Sequence, residues 1–181
     1  MKLIETTLAD VVLIEPKVFG DERGFFMESW NGKAFEDAGL DLQFVQDNHS
    51  KSAAGVLRGL HYQKPNPQGK LVRVAQGAVY DVIVDLRKAS PTFGQHEGFL
   101  LDASNHRMLW VPKGFAHGFL TLEDDTHFLY KCTAQYEPTC EQSLLWNDPD
   151  LSIKWPLDGS LPVISAKDQA GQPFADAPVF E

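Results

Sequence analysis

The chain has 181 residues, of which 43% are hydrophobic, and a formal net charge of −9 at pH 7. This length suffices for one domain that buries its own core, so we expect a single domain over residues 1–181. The acidic balance argues against a nucleic acid and against an anionic membrane surface as partner, because both bind to basic faces. A small anionic ligand would need local cations to hold it.

The composition also bears on the compartment. No apolar run approaches the length that spans a bilayer. The start, MKLIETTLADVVLIEP, is interrupted by acidic residues and does not resemble an export signal. In such a chain Cys132 and Cys140 are expected to be free thiols. We therefore expect a cytoplasmic protein.

Glycine and proline interrupt the chain at short intervals, and the segments between them alternate in polarity, which is typical of many short strands. One helix is predicted at GKAFEDA, with Asn31 as its N-cap and Gly39 just past its end. The predicted strands, in chain order, are DVVLIEPKVF, RGFFMESW, DLQFVQDNHS, VLRGLHYQ, KLVRVAQGAVYDVIVDLR with a break near Gly77, HEGFLLD, HRMLWVP, FAHGFLTLE and THFLYKCTAQY.

Many strands with one small helix predict an all-β fold, an antiparallel sandwich or barrel that hides its edges, most simply a jelly roll. In AVYDVIVDLR the apolar residues Tyr80, Val82 and Val84 share one face, and Asp81 and Asp85 share the other. From about residue 156 the chain is rich in proline and polar residues. This part is predicted to be a tail that wraps over the barrel rather than a second domain.

The six histidines raise the question of a metal. Pro112, Gly114 and His117 form a P-x-G-x-x-H pattern that resembles the second motif of the cupin superfamily. The first cupin motif would supply H-x-H, but the corresponding strand reads H-Y-Q from His61 to Gln63. Because a transition metal needs three or four converging ligands, we predict no metal at this pair of histidines.

His61 and Arg58, in GVLRGLHYQ, are the polar residues that need an explanation. A lone strand histidine is most often a core residue bonded to a carbonyl. Lys70, which follows on the next strand, favours instead a site for an anion such as a diphosphate. Strict alternation puts Arg58 and His61 on opposite faces, and they can share a pocket only if Gly59 forms a bulge.

Tyr130 has two interpretations as well. It shares a strand face with Phe128 and Cys132, so it is either a core tyrosine or a phenol acid that faces an imidazole base.

Taken together, the motifs resemble the dTDP-4-dehydrorhamnose 3,5-epimerase family. The resemblance implies a cupin-type jelly-roll barrel that needs no metal or other cofactor and forms a homodimer. It implies an isomerase that converts dTDP-4-dehydro-6-deoxy-D-glucose to dTDP-4-dehydro-L-rhamnose during dTDP-L-rhamnose synthesis. The segments that carry it, in the family's order, are FGDERGFFMESW, FVQDNHSKS, GVLRGLHYQ, QGKLVRVAQGAVYDVIVDLR, SPTFGQ, WVPKGFAHGFLTL, LYKCT, WNDPDLSIKW and ISAKD.

The resemblance also implies residue roles. His61 would be the base that removes the proton α to the C4 ketone, oriented by Asp168 of ISAKD. Lys70 would stabilise the enolate oxygen, and Tyr130 would return a proton from the opposite face. The implied substrate-binding residues are Phe19, Arg23, Glu28, Gln46, Asn48, Arg58, His117, Tyr136 and Lys167.

The segment that carries Phe19 and Arg23 would reach the active site of the partner subunit. The chain departs from the family's usual residues at Cys132, where a small residue such as threonine or alanine is common, and at Gln135, where a second tyrosine is common. Neither departure affects the implied acid–base pair.

Three other functions stay open from the residues. One is an epimerase acting at a single position, or a ketoisomerase, on a related dTDP-4-keto sugar. Another is a non-catalytic cupin that binds a nucleotide sugar, which would not require His61, Lys70, Tyr130 and Asp168 together. The last is a metal-dependent cupin oxygenase, for which the ligands are missing.

Overall fold

The computed structural model describes all residues from 1 to 181. Its regular elements are fourteen strands and two short helices, with single 3₁₀ turns at Pro138–Cys140 and Phe174–Asp176. The elements are β1 (Lys2–Glu5), β2 (Val12–Glu15), β3 (Val18–Asp21), β4 (Gly24–Met27), α1 (Gly32–Asp37), β5 (Gln46–Ser52), β6 (Val56–Gln63), β7 (Lys70–Gln76), β8 (Ala78–Asp85), β9 (His96–Asp102), β10 (Met108–Val111), β11 (Phe115–Thr121), β12 (Thr126–Cys132), β13 (Glu141–Ser143), β14 (Val163–Ile164) and α2 (Ala166–Gln169).

The strands form two large sheets and a separate hairpin. The first sheet has the order β1-β2-β10-β7-β12-β5, and the second has the order β13-β6-β11-β8-β9 with β14 added to β6. The hairpin consists of β3 and β4. Every strand pair is antiparallel except β14 with β6. The predicted all-β, cupin-type jelly roll is confirmed.

The core lies between the two sheets. Side chains of β7 and β12 in the first sheet meet side chains of β8 and β11 in the second, and the shared cluster includes Val72, Phe128, Ile83 and Phe119. On β8 the predicted alternation is confirmed, because Val82 and Val84 belong to a different cluster on the outer face of the second sheet. The two aspartates of β8, Asp81 and Asp85, are completely buried.

The predicted helix is confirmed, since Asn31 accepts a hydrogen bond from the backbone N–H of Ala34 at the start of α1. DVVLIEPKVF is two strands, β2 and β3, because Pro16 lies between them and has no N–H to pair. The strand predicted from residue 41 begins only at Gln46. Four elements are not predicted from the sequence, because each has four residues or fewer and elements this short show little periodicity. They are β1, β13, β14 and α2.

The bulge required at Gly59 is present. His61 pairs with His117 and Arg58 pairs with Phe119, so Gly59 and Leu60 together face the single residue Gly118. Gly59 has φ +116°, and a Cβ there would lie 2.5 Å from the Cα of Gly118. Only glycine fits this position. The extra residue resets the alternation and brings Arg58 and His61 to the same cavity.

The C-terminal part packs on the second sheet. Residues 163–164 add to the edge of β6 as a parallel strand, and Trp155, Phe174 and Phe180 pack on the outer cluster. Ser165 caps α2 by accepting a hydrogen bond from the N–H of Asp168. This cap turns Asp168 inward, where it is only 4% exposed. None of the helices has the length and apolar character that crossing a membrane requires.

Candidate active site

A cavity of about 490 Å³ lies between the two sheets and the tail. An adjoining pocket of about 260 Å³ shares His61, Lys70 and Tyr130 with it, so the two form one cleft. Lys70 and Tyr130 come from the first sheet, and His61 comes from the second. The predicted residues that line the cleft are His61, Lys70, Tyr130, Asp168, Arg58, His117, Lys167, Gln46, Asn48 and Tyr136.

His61 and Asp168 form a dyad across 107 residues of sequence. The Nε2 of His61 lies 2.5 Å from Oδ1 of Asp168. The N–H of Gly59 points to the other carboxylate oxygen, 3.4 Å away, so the bulge also supports the aspartate. Burial opposes ionisation of Asp168, but the bonds from His61, Gly59 and Ser165 prevail and lower its pKa. The anionic carboxylate therefore holds the Nε2 proton, and the basic lone pair of His61 is on Nδ1.

Lys70 lies on β7 beside this dyad. Its side chain is buried, with 8% of the residue exposed, and it makes no ion pair or hydrogen bond within the chain. Burial lowers the pKa of Lys70, and its attraction to Cys132, Asp81 and Glu141 opposes that shift. A buried ammonium without a partner, directed into a cleft, is suited to an anion that arrives with the substrate or develops during reaction.

Tyr130 stands on the wall opposite His61. Its neighbours along β12 on the same face, Phe128 and Cys132, are buried, while Tyr130 is partly open to the cleft. Burial is the main cause that raises the pKa of Tyr130, so its phenol keeps its proton at neutral pH. The position thus supplies a protonated acid across the cleft from an imidazole base.

His117, of the P-x-G-x-x-H pattern, lies directly across from His61 on β11. Its Nε2 lies 2.8 Å from Oδ2 of Asp81, and burial lowers the pKa of its imidazole. The two histidines thus each bond a separate aspartate. No group of three or more His, Cys, Asp or Glu side chains is arranged as metal ligands are.

Polar residues at the mouth of the cleft are suited to a nucleotide. The Arg58 guanidinium is held by Ser52, with Nε 3.2 Å from its Oγ. Gln46 accepts a hydrogen bond from the N–H of Tyr136 and donates one to Asn48. Arg58 and Lys167 supply the positive charges that phosphates need.

The two departures from the family pattern contact residues on β5 or just before it. Cys132 accepts a weak hydrogen bond from Asn48, at 3.5 Å. Gln135 turns away from the cleft and donates to the carbonyl oxygen of Val45. Cys132 and Cys140 are both buried and unpaired, as expected.

Glu141 on β13 is a further residue of the cleft that the sequence did not predict. It accepts hydrogen bonds from the Tyr136 hydroxyl and from Lys167, and so joins the two candidate binding residues at the mouth of the cleft. Burial opposes ionisation of Glu141, but these bonds prevail and lower its pKa. Its three-residue strand carries no pattern that marks it, and only the pairing of β13 with β6 places it there.

Three predicted binding residues lie away from the cleft of their own chain. Phe19 and Arg23 belong to the hairpin, where Arg23 bonds only Asp21 and Phe19 is 52% exposed. Glu28 follows the hairpin and accepts a hydrogen bond from Asn31. They do not line the cavity or the adjoining pocket.

The fold and the cleft together define a cupin-type barrel enzyme with acid–base groups on facing sheets. Comparisons with known proteins agree. The family model described as dTDP-4-dehydrorhamnose 3,5-epimerase matches residues 5–176. A protein of that description from Pseudomonas aeruginosa is 56% identical over 181 residues, covering 99% of both chains.

Solved structures show the same likeness. The epimerase of Bacillus anthracis, with TDP and PPi bound, has 53% identity and a TM-score of 0.92, with 95% of this chain and 98% of that chain covered. The enzyme of Legionella pneumophila, in complex with dTDP-4-keto-L-rhamnose, has 49% identity and a TM-score of 0.93, with 98% and 94% covered. The chain belongs to the dTDP-4-dehydrorhamnose 3,5-epimerase family and is an isomerase.

Proposed function

We propose that the protein converts dTDP-4-dehydro-6-deoxy-D-glucose to dTDP-4-dehydro-L-rhamnose by inverting C3 and C5. The observation that carries the proposal is the His61–Asp168 dyad on one sheet, facing Tyr130 and Lys70 on the other across one cleft. Both carbons are α to the C4 ketone, so removing a proton from either gives an enolate. The whole chain forms a single catalytic domain, and its C-terminal tail supplies Asp168.

In the first step Nδ1 of His61 takes the proton from the sugar carbon. The electron pair of the C–H bond forms a carbon–carbon double bond, and the π pair of the C4 ketone moves to its oxygen. Asp168 stabilises the imidazolium that forms, since its carboxylate is already bonded to Nε2. Lys70 stabilises the enolate oxygen. This interaction is strong because the ammonium is buried and has no competing partner.

In the second step a proton returns to the carbon from the opposite face, which inverts the centre. Tyr130 is suited to this role at C5, because it lies on the facing sheet and burial keeps its phenol protonated. The nucleotide lies at the mouth, where Arg58 and Lys167 bind the diphosphate and Gln46, Asn48 and Tyr136 contact the rest of it. His117 contacts the sugar.

We further propose that the protein works as a cytoplasmic homodimer in which active-site residues are exchanged. The hairpin of β3 and β4 presents Phe19, Phe25 and Phe26, each more than half exposed, which is unusual for a monomer. Inserting it into the partner's cleft would bring Phe19, Arg23 and Glu28 to the partner's nucleotide. The two unpaired buried thiols fit a reducing compartment.

The function is tested by incubating the protein with dTDP-4-dehydro-6-deoxy-D-glucose in D₂O and following C3–H and C5–H by NMR. Exchange at both positions with formation of the L-rhamno product is expected. Exchange at C3 alone would indicate a single-position epimerase, and its absence at both positions would indicate a binding protein.

Two variants test the roles. His61→Asn should lower turnover by at least about 10²-fold, the usual scale for loss of a general base. The matched control is His96→Asn, on β9 outside the cleft, which should keep wild-type turnover. Tyr130→Phe should retain solvent exchange but fail to invert C5, while Tyr80→Phe, on the outer face, should behave as wild type. A fully active His61→Asn protein would overturn the mechanism.

A further inference from the structure

Asp81 is a carboxylate in the barrel interior that the reaction above does not use. It lies on β8 and is completely buried, with Oδ2 at 2.8 Å from Nε2 of His117. Its other oxygen, Oδ1, is buried and has no hydrogen-bond partner. Leaving a buried carboxylate oxygen unpaired is unfavourable for folding, so its presence calls for an explanation.

The first effect of Asp81 is on His117. Only 5% of His117 is exposed, and its ring is stacked on Phe128 at 6.1 Å, so its orientation is restricted. Because burial keeps His117 neutral and the carboxylate of Asp81 accepts its Nε2–H, the lone pair is on Nδ1. His117 lines the cavity beside His61 and Lys70, and Nδ1 makes no hydrogen bond within the chain. A hydrogen-bond acceptor therefore lies on the wall of the cavity.

The second effect of Asp81 is on Lys70. Burial lowers the pKa of Lys70, and attraction to Cys132, Asp81 and Glu141 opposes that shift and favours the charged form, while the neighbouring His117 is neutral. Burial raises the pKa of the Cys132 thiol, so it carries no charge at neutral pH.

Glu141 is a weaker support for Lys70, because its carboxylate is already bonded to Lys167 and Tyr136. Asp81 is thus the buried carboxyl group near Lys70 that makes no ion pair with a lysine or arginine. A charge on it would interact with the ammonium of Lys70 through the low-dielectric interior without direct contact.

We propose that Asp81 is a positioning residue of this active site. It holds His117 so that Nδ1 accepts a hydrogen bond from a hydroxyl of the sugar, and it keeps Lys70 cationic beside the enolate oxygen. Asp81 has both effects without contacting the substrate. The inference rests on the proposed epimerase function.

The test compares Asp81→Asn, which keeps an acceptor for His117 but removes the charge, with Asp81→Ala, which removes both. Asp150→Asn makes the same chemical change at an exposed carboxylate and is the control. The measurements are the pH dependence of kcat/KM on dTDP-4-dehydro-6-deoxy-D-glucose, the ¹⁵N shifts of His117, the titration of Lys70 by NMR, and the affinity for dTDP as a check on folding.

In Asp81→Asn the alkaline limb of kcat/KM should move to lower pH by about one unit, the scale of losing a nearby opposite charge, with the Lys70 titration moving alike. Above that limb kcat/KM should fall about tenfold. Asp81→Ala should in addition populate the other tautomer of His117. Affinity for dTDP should stay within about twofold, and Asp150→Asn should match wild type on every measurement.

A folded Asp81→Asn protein with the wild-type alkaline limb and Lys70 titration would overturn the proposal. If that variant does not fold, the proposal is tested by the ¹⁵N shifts of His117 in the wild-type protein. Any form of His117 other than the neutral ring protonated on Nε2 would overturn the proposal. Both NMR measurements need no turnover. A wild-type protein without epimerase activity would thus refute the proposed function, while the field of Asp81 on Lys70 and His117 could still be measured.

Discussion

The close approach of β6 and β11 at Gly59 can be tested by one methyl group. In Gly59→Ala the new Cβ would lie 2.5 Å from Gly118 Cα and 2.7 Å from the carbonyl oxygen of His117. Both are backbone atoms, so no side-chain rotation relieves the overlap. The same strands carry His61 and Arg58, so any shift that makes room for the methyl group moves the candidate base and the diphosphate ligand.

The cost has two parts. A residue with a Cβ at φ +116° lowers the free energy of unfolding by about 1–2 kcal/mol, because its backbone is left-handed. Forcing a methyl group into a closely packed region adds about 1–3 kcal/mol. The sum, about 2–5 kcal/mol, is a large fraction of the 5–15 kcal/mol that stabilises a typical domain.

Gly39→Ala is the matched control, because Gly39 has φ +90° and nothing lies within 4 Å of a Cβ there. It should lose only the backbone part, about 1–2 kcal/mol. Urea unfolding gives both free energies if the slope is unchanged. In Gly59→Ala we also expect turnover to fall by at least about tenfold, since small displacements at a reacting centre are costly. Equal stability of the two variants, or full turnover in Gly59→Ala, would refute the reasoning.

Three further changes probe the cleft. Burial lowers the pKa of Lys70, and we assign the alkaline limb of kcat/KM to the loss of its proton. Lys70→Arg should move that limb to higher pH, because a guanidinium keeps its charge, and an unmoved limb would contradict the assignment. Because the folded pKa of Asp168 is lowered, its stabilisation is present above the unfolded value, about 3.9, and is lost as pH falls through the folded value. The stability difference between wild type and Asp168→Asn should thus shrink as the pH falls below about 4 in unfolding titrations; a difference that grows with acid in that range would show the opposite linkage. Arg58→Ala should weaken dTDP binding at least tenfold by calorimetry, since bonds to charged groups contribute about 1.5–3 kcal/mol, and unchanged binding would place the diphosphate elsewhere.

Much of the barrel could be predicted because its determinants are local. Alternation on β8 separates Val82 and Val84 from Asp81 and Asp85, and the structure keeps that separation. Asn31 marks the start of α1 by the hydrogen bond that its side chain can accept. The strands β13 and β14 could not be predicted, since two or three residues hold no period and form strands only by pairing with β6.

The candidate site, like the barrel, has features that the sequence predicts and features that depend on the folded structure. The residue types in the sequence show which side chains could do acid–base chemistry, and the ordered motifs indicate the family. Alternation alone, however, put Arg58 and His61 on opposite faces. The folded barrel brings them to one cavity, because the bulge at Gly59 depends on how closely the backbone of Gly118 approaches from another strand.

The hydrogen-bond partners of His61 and His117 likewise depend on the tertiary structure. Asp168 reaches His61 across 107 residues, and Asp81 reaches His117 across 36. Glu141 joins Tyr136 to Lys167 only after β13 has paired with β6. Sequence patterns report neighbours along one strand or helix, whereas these contacts depend on strand order and register, which the packing of the whole barrel sets.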